Sequence, residues 1–452
     1  MEQLWMEPLR FAMNWPRNQK TFKAKPMKPT YAVKLLILLL PSLILAQPSQ
    51  DDLNIVITRK VSLEILGPNT SPYMQPLTET LNATANSRFF RTAEIPDTGF
   101  YVRVGVAGMM GFVRNDQKTY KPVAPVLSDT AFLSAIGKGD LVELNLINPS
   151  ATKVKDTAGL VLSLIKYITW KGLRDPTSGF YFPEEAATVY GNKNEKFLIG
   201  KEYTKRQITA PVDSGGDALL NQVYRLLSPQ LQQSILTSVD GLPNEIDLPR
   251  GGNVSTVFAG VPQFEIGSLY GTELLLRFIP PIRYDSVVGK FAFWGIGIKH
   301  SLSRYMKNPP VNIAAQFVYQ GSSIENTIGA TNAQLKTNTT IFGGNVHVSK
   351  TWNNWTIYSG MSYESINIDV NYKFLLPKQL QRSLGLIPQD SDEPRPPQYP
   401  GDQRPQLAQA TLSDRAIKWV IGAGWKIGKF GIGIDYNVSK FNVLTLGMDY
   451  TL

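Results

Sequence analysis

From residue 263 to the carboxyl terminus, apolar and polar positions alternate with a period of two in one short stretch after another. In the stretch beginning at Val311 one face carries Val311, Ile313, Ala315, Phe317 and Tyr319, and the other Asn312, Ala314, Gln316, Val318 and Gln320. From Ile417 the series Ile417, Trp419, Ile421, Ala423, Trp425, Ile427 opposes Lys418, Val420, Gly422, Gly424, Lys426. From Phe430 the apolar series is Phe430, Ile432, Ile434, Tyr436 and Val438. Successive side chains of a strand point to opposite faces, so each stretch predicts a β-strand with one apolar face. The others are 264–270, 273–279, 290–299, 339–348, 355–363, 366–372 and 441–452, with 100–113 upstream. The whole chain is expected to hold 12–14 barrel strands.

Such alternation fits a soluble β-sandwich, with its apolar face in a core, or a membrane barrel, with its apolar face toward lipid. Three features favour the barrel. The second face is rich in glycine and uncharged polar residues rather than in charge. Trp419 and Trp425 share a face six residues apart, about 20 Å along a strand, which matches two aromatic girdles. The chain also ends inside a strand, with Leu444, Leu446, Met448, Tyr450 and Leu452 on one face. The expected fold is therefore an all-β transmembrane, antiparallel outer-membrane β-barrel with an N-terminal segment and a small helical insertion.

Upstream the texture differs. Lys34 precedes an apolar run over 35–46, too short to span a bilayer as a helix and shaped like a secretory leader. Residues 1–46 are read as that leader, with Met27 as a candidate true start. Residues 47–98 form an N-terminal segment and candidate plug: a short extended stretch at 53–57, then a helix over 71–85. The barrel covers 99–452, with a mixed helical insertion at about 150–262. Within it, Leu219, Leu220, Val223, Leu226, Leu227, Leu231, Ile235 and Val239 recur at helical spacing, punctuated by Ser228-Pro229. Residues 157–170 fit helix or strand equally.

Composition narrows the chemistry. The 452 residues include 46 basic and 36 acidic ones, a net +10. Seven of the bases and two of the acids lie in the leader, which leaves +5 and removes most of the support for a nucleic-acid partner. With no cysteine and only two histidines, His300 and His347, thiol chemistry is excluded and a histidine metal site has almost nothing to draw on. No cofactor is expected. The pairs Gly295/Gly297, Gly422/Gly424 and Gly431/Gly433 do not precede helices, as a dinucleotide turn requires, and read as small residues on a crowded inner pleat. No catalytic constellation is visible, so an enzyme is not expected. Arg277, Lys299, Lys418, Lys426, Asp435 and Asp449 fall on the face opposite the apolar one. They are the candidate lumen-facing charges, either lining a solute path or closing the lumen by ion pairing.

The terminal strand resembles the C-terminal insertion signal of bacterial outer-membrane barrels, with Leu452 where phenylalanine is usual and Tyr450 as the nearest aromatic. The segments 254–260, 264–278 and 294–300, with the strand at 99–113, resemble a domain-of-unknown-function family of exported proteins predicted to form such barrels. In layout the chain is also similar to long-chain fatty-acid transporter barrels, whose N-terminal segment plugs the lumen. These resemblances imply export to the outer membrane, with the bilayer and the barrel-insertion machinery as partners. The expected function is binding or passing a small hydrophobic solute. The alternatives are a closed structural or assembly barrel of the envelope and, third, an envelope enzyme.

With the last strand ending in the periplasm, the 439–440 turn falls outside, the 428–429 turn inside, and the proline-rich loop 375–414 outside. The same count leaves 321–336 as an over-long periplasmic turn. A lipid-facing change, Ile421→Arg, is expected to harm folding more than an inward one, Gly422→Ser.

Overall fold

The computed structural model describes residues 53–143, 153–225, 229–242, 244–285, 289–328, 333–374 and 406–452, with positions 227 and 382. The leader expected over 1–46 and most of the proline-rich loop lie outside the described residues. Ten antiparallel strands close a barrel: β1 (Tyr101–Phe112), β2 (Thr256–Leu269), β3 (Thr272–Asp285), β4 (Gly289–Ser301), β5 (Asn312–Ile328), β6 (Ala333–Trp352), β7 (Trp355–Phe374), β8 (Gln406–Ile427), β9 (Phe430–Val438) and β10 (Asn442–Thr451). Each pairs with its sequence neighbours, except that β10 closes the ring on β1, with Arg103 opposite Thr451 and Phe112 opposite Asn442. Closure satisfies the edge strands that an open sheet would expose to hydrocarbon, where each unpaired backbone group costs several kcal/mol.

The count is ten, not 12–14, because strands run far beyond the membrane-like part. Residues 355–363 and 366–372 are one strand, β7. Up to Tyr363 its outward residues are apolar except Ser359 (Trp355, Ile357, Met361, Tyr363), and its buried inward ones include Ser362 and Glu364. Beyond that point the faces exchange character: Asn367 and Asp369 are exposed, and Ile366, Ile368 and Val370 are buried. The geometry continues while the outer face changes from apolar to polar and the inner face from polar to apolar, so the hydropathy phase inverts and imitates a strand break. β8 inverts likewise, from exposed Thr411, Ser413 and Arg415 to exposed Ile417, Trp419 and Ile421. Merging the two stretches also moves this connection to the opposite end, where residues 321–328 and 333–336 belong to the paired strands β5 and β6.

The outward apolar series on β8 spans ten residue steps, from Ile417 to Ile427. That is about 33 Å along the strand, or about 25 Å of height at the usual tilt, the size of a bilayer-facing band. Ile421 lies mid-band and faces outward. Ile421→Arg is expected to cost about 2–4 kcal/mol of folding free energy in lipid. The inward comparison needs correcting. A side chain at Gly422 would collide with the Tyr358 ring lying across it, whereas one at Gly424 meets only Ile432 O at 3.7 Å. Refolding titrations into vesicles should therefore rank Ile421→Arg well below Gly424→Ser; equal yields would reverse the assignment of faces.

The end of the barrel bearing the C-terminus has two-residue turns at 270–271, 353–354 and 428–429. The other end carries a cap built from residues 113–255, earlier and longer than the insertion expected at 150–262. Its helices are α2 (Asp129–Gly137), α3 (Thr157–Gly172), α4 (Lys201–Thr209), α5 (Ala218–Arg225) and α6 (Pro229–Gly241). The stretch 157–170 is thus helical: its buried Leu160, Leu164, Tyr167 and Ile168 follow a 3.6 spacing and join Phe132, Phe197, Leu220 and Ile235 in one apolar core.

The N-terminal segment is a single long helix, α7 (Leu53–Ala85); residues 53–57 are its first turns rather than an extended stretch. Pro68, Pro72 and Pro76 each withhold a helix N–H. The carbonyls at 64, 68 and 72 thereby lose their helix donor; nearby, Val189 N donates to Tyr73 O at 3.1 Å, and Thr80 Oγ1 to Pro76 O at 2.7 Å. Asn69 exchanges two hydrogen bonds with the backbone of Val123, at 2.7 and 2.9 Å, and ties the helix to the cap. Burial pushes the Tyr190 phenol up to about 12, which keeps it protonated as the donor to Thr80 Oγ1 at 2.8 Å.

Candidate functional site

The C-terminal part of α7 enters the barrel at the cap end, and residues 86–96 run down the lumen toward the opposite end. The polar inner face of the strands holds this segment along its length. Arg277, fully buried on β3, donates to Ala85 O (2.8 Å), Ser87 O (2.7 Å) and Arg88 O (3.0 Å), and its guanidinium lies 4.4 Å from the Phe89 ring centroid. Lys418, on β8, donates to Asn86 O at 2.7 Å and pairs with Glu364 at 2.5 Å. The last carbonyls of a helix lack intrahelical donors and carry partial negative charge. Two wall cations therefore cap α7 where it ends inside the lumen.

Below them Arg88 reaches back to the wall, with Nη1 3.0 Å from Asp435 and 2.6 Å from Tyr358 Oη. It lies against Gly433 and Gly447, register partners on β9 and β10; a β-carbon at either would occupy the guanidinium's place. The Gly-X-Gly at 431–433 is thus partly explained: one of its glycines forms half of a slot for an arginine. Phe89 and Phe90 pack with Val318, Tyr358 and Val420, and Phe90 stacks on His347 at 4.0 Å. Arg91 pairs with Asp449 at 2.5 Å, and Ala93 N donates to Ser349 Oγ at 2.8 Å. Pro96 O accepts from Ser268 Oγ beside the β2–β3 turn, where the segment leaves the lumen.

Above the polar stretch the inner wall turns apolar. Phe293, Ile341, Ile366, Ile368, Val370, Leu412, Phe441 and Val443 are buried there, against Met74, Leu77 and Ala83 of α7. The lumen therefore has two zones, an apolar one at the cap end and an ion-paired one below.

Of the six lumen candidates, Arg277, Lys299, Lys418 and Asp435 are buried inside, and Asp449 is largely so. Lys299 pairs with Glu273, which also receives Arg103. Lys426 has the inward parity but is exposed at the end of its strand, beside the 428–429 turn. Trp419 and Trp425 both face outward, and Trp425 stacks on Trp355 at 5.6 Å. Leu446, Met448 and Leu452 are exposed on the outer face; Leu444 and Tyr450 are half-buried there. The two histidines lie apart: His347 is inside the lumen, and His300 bonds Thr272 and Tyr305 near the short-turn end. Among the described residues no group of His, Asp and Glu is placed to hold a metal.

Sequence reasoning missed Arg88, Arg91, Arg103, Glu265, Glu273 and Glu364. The glutamates carry a usable signal, because Glu265 shares the strand face of Gln263, and Glu273 that of Arg277. Arg88 and Arg91 lie in irregular chain, where no periodicity marks a direction.

A closed antiparallel barrel with an apolar outer band and its lumen filled by its own N-terminal segment defines the class: an outer-membrane-type β-barrel. The chain belongs to a family of unknown function, DUF6588, which matches residues 27–452. No curated protein matches it. Among solved structures it is similar to the translocator domain of the autotransporter NalP from Neisseria meningitidis, at 9% identity over 84% of this chain and 97% of that one, with a TM-score of 0.22. It is also similar to a BenF-like porin from Pseudomonas fluorescens Pf-5, at 8% identity over 79% and 99%, with a TM-score of 0.12. Likeness at this level adds nothing to the barrel, which rests on the strand pairing.

Proposed function

We propose that this is an outer-membrane barrel, closed to water and ions by residues 86–96, that binds or passes a small hydrophobic solute without catalysing a reaction on it. The observation that carries this reading is the division of the lumen: an apolar zone of Ile341, Ile366, Ile368 and Leu412, packed against the N-terminal helix, sits directly above an ion-paired seal. A water-filled pore needs no apolar inner wall. In this reading Leu444, Leu446, Met448, Tyr450 and Leu452 form the strand that the insertion machinery engages, and the bilayer is the permanent partner.

The full chain in planar bilayers is expected to be silent to ions, while proteoliposomes take up a fluorescent dodecyl-chain probe faster than empty vesicles. Steady ion conductance would make it a porin instead. Silence in both assays would favour a purely structural barrel, a role to which the dense pairing in the lumen is also suited.

A further inference from the structure

The wall of the barrel is not zipped evenly. β6 and β7 pair from Gln334–Lys373 to Trp352–Trp355, and β1 pairs with β2 over the whole of Tyr101–Phe112. Between β2 and β3, by contrast, pairing runs only from Leu269–Thr272 to Gln263–Arg277. Toward the cap end, residues 256–262 pair with β1 alone and residues 278–285 with β4 alone. Among the described residues, these two edges have no ladder between them.

Three observations show what this seam suits. The first is backbone chemistry: Pro262 lies on one edge, and Pro280 and Pro281 on the other. Proline has no N–H, so these positions can neither extend the ladder nor leave a donor stranded in hydrocarbon. The second is the flanks. Phe258 is 74% exposed and Phe278 54% exposed, both on the outer face. Behind the edges stand Val257, Val261 and Ile279, members of the apolar cluster that also includes Met74 and Leu77. The third is access. Opposite Ala292 the two prolines form a bulge, so Ile282 becomes the register partner of inward-facing Phe291, yet 42% of Ile282 stays exposed. Ala259 has the parity of its buried partner Met109 and is likewise exposed. Inward-facing positions on the other strands at band height are mostly buried.

We propose that the unzipped β2–β3 seam is a lateral doorway through which a single apolar chain passes between the bilayer and the apolar zone of the lumen. This rests on the hydrophobic-solute reading and adds the route. The floor of the doorway is the last rung, Gln263–Arg277, where Arg277 Nη2 donates to Gln263 Oε1 at 2.7 Å. The same guanidinium caps α7, so the doorway and the lumen seal meet at one side chain.

The chain has no cysteine, so two introduced thiols can pair only with each other. Vesicles containing a diazirine-bearing acyl-chain lipid would be illuminated with the full-length protein and the adducts mapped by mass spectrometry. Adducts are expected on inward-facing Ala259 and Ile279, and not on Ile341 or Ile366 across the lumen. A V261C/I279C disulfide across the seam should abolish the Ala259 adduct, and reduction should restore it. A V346C/M361C disulfide between the fully paired β6 and β7 should leave the adduct unchanged. Adducts confined to Phe258 and Phe278, or an Ala259 adduct indifferent to the seam disulfide, would overturn the doorway. The first of these needs no variant, so misfolding of a cysteine pair cannot mask it. Uptake of the dodecyl probe judges the hydrophobic-solute reading separately: uptake that persists with the seam locked refutes the doorway and leaves that reading standing.

Discussion

Arg277→Met should open the lumen to ions and lower the stability of the folded barrel by at least ~2 kcal/mol, since an unpaired buried carbonyl costs ~1–3 kcal/mol and two are left. Arg277 gives hydrogen bonds to three backbone carbonyls of the N-terminal segment, at residues 85, 87 and 88. Among the described residues it forms no salt bridge with a carboxylate, so its removal leaves Ser87 O and Arg88 O without that donor, while Ala85 O keeps Gln320 Nε2 at 3.1 Å. The methionine keeps much of the volume, which separates loss of hydrogen bonding from loss of packing. Channel events in planar bilayers and the midpoint of denaturant unfolding in detergent report the two effects. A variant as silent and as stable as the parent would show that residues 86–96 are held by other contacts.

Lys418→Met should be the most destabilising exchange of an ion-paired residue. Lys418 and Glu364 are both fully buried, and Glu364 has Ser362 Oγ, at 2.9 Å, as its other donor. Breaking a buried pair from one side typically costs about 3–5 kcal/mol, because the remaining charge stays desolvated. Replacing both, Lys418→Met with Glu364→Leu, should recover most of that loss, since an apolar pair of similar volume avoids the desolvation. Asn86 O would still lose its donor, so recovery should stop about 1 kcal/mol or more short of the parent. A double-mutant cycle on unfolding midpoints checks this. Additive costs in the two single variants would mean that water reaches the pair.

The outer surface was legible from the chain alone because the information is local. A strand presents alternate residues to one side, and a bilayer accepts only apolar ones there. Ile417 to Ile427 and Phe430 to Val438 therefore show their outward face in the order of their letters. Closure was legible for the same reason: a terminal strand with an apolar outer face must be paired on both sides, and β1 was the alternating stretch available. The inner charges Arg277, Lys418 and Asp435 could be assigned to the lumen by parity, but not to their partners.

What the tertiary structure decided is whatever depends on which surroundings a residue meets. β7 keeps one geometry from Trp355 to Phe374, yet its polar face changes sides near Glu364, where the outer face turns from apolar to polar and the inner surroundings from ion pairs to an apolar cluster. No local pattern distinguishes that exchange from the end of a strand. The lumen segment is harder still, because residues 86–96 have no period and take their places from wall residues up to 358 positions away, as Arg91 does from Asp449. The β2–β3 seam is an absence of pairing, and pairing is a property of two segments together. Pro262, Pro280 and Pro281 are visible in either segment alone, but only the register shows that they face the same break.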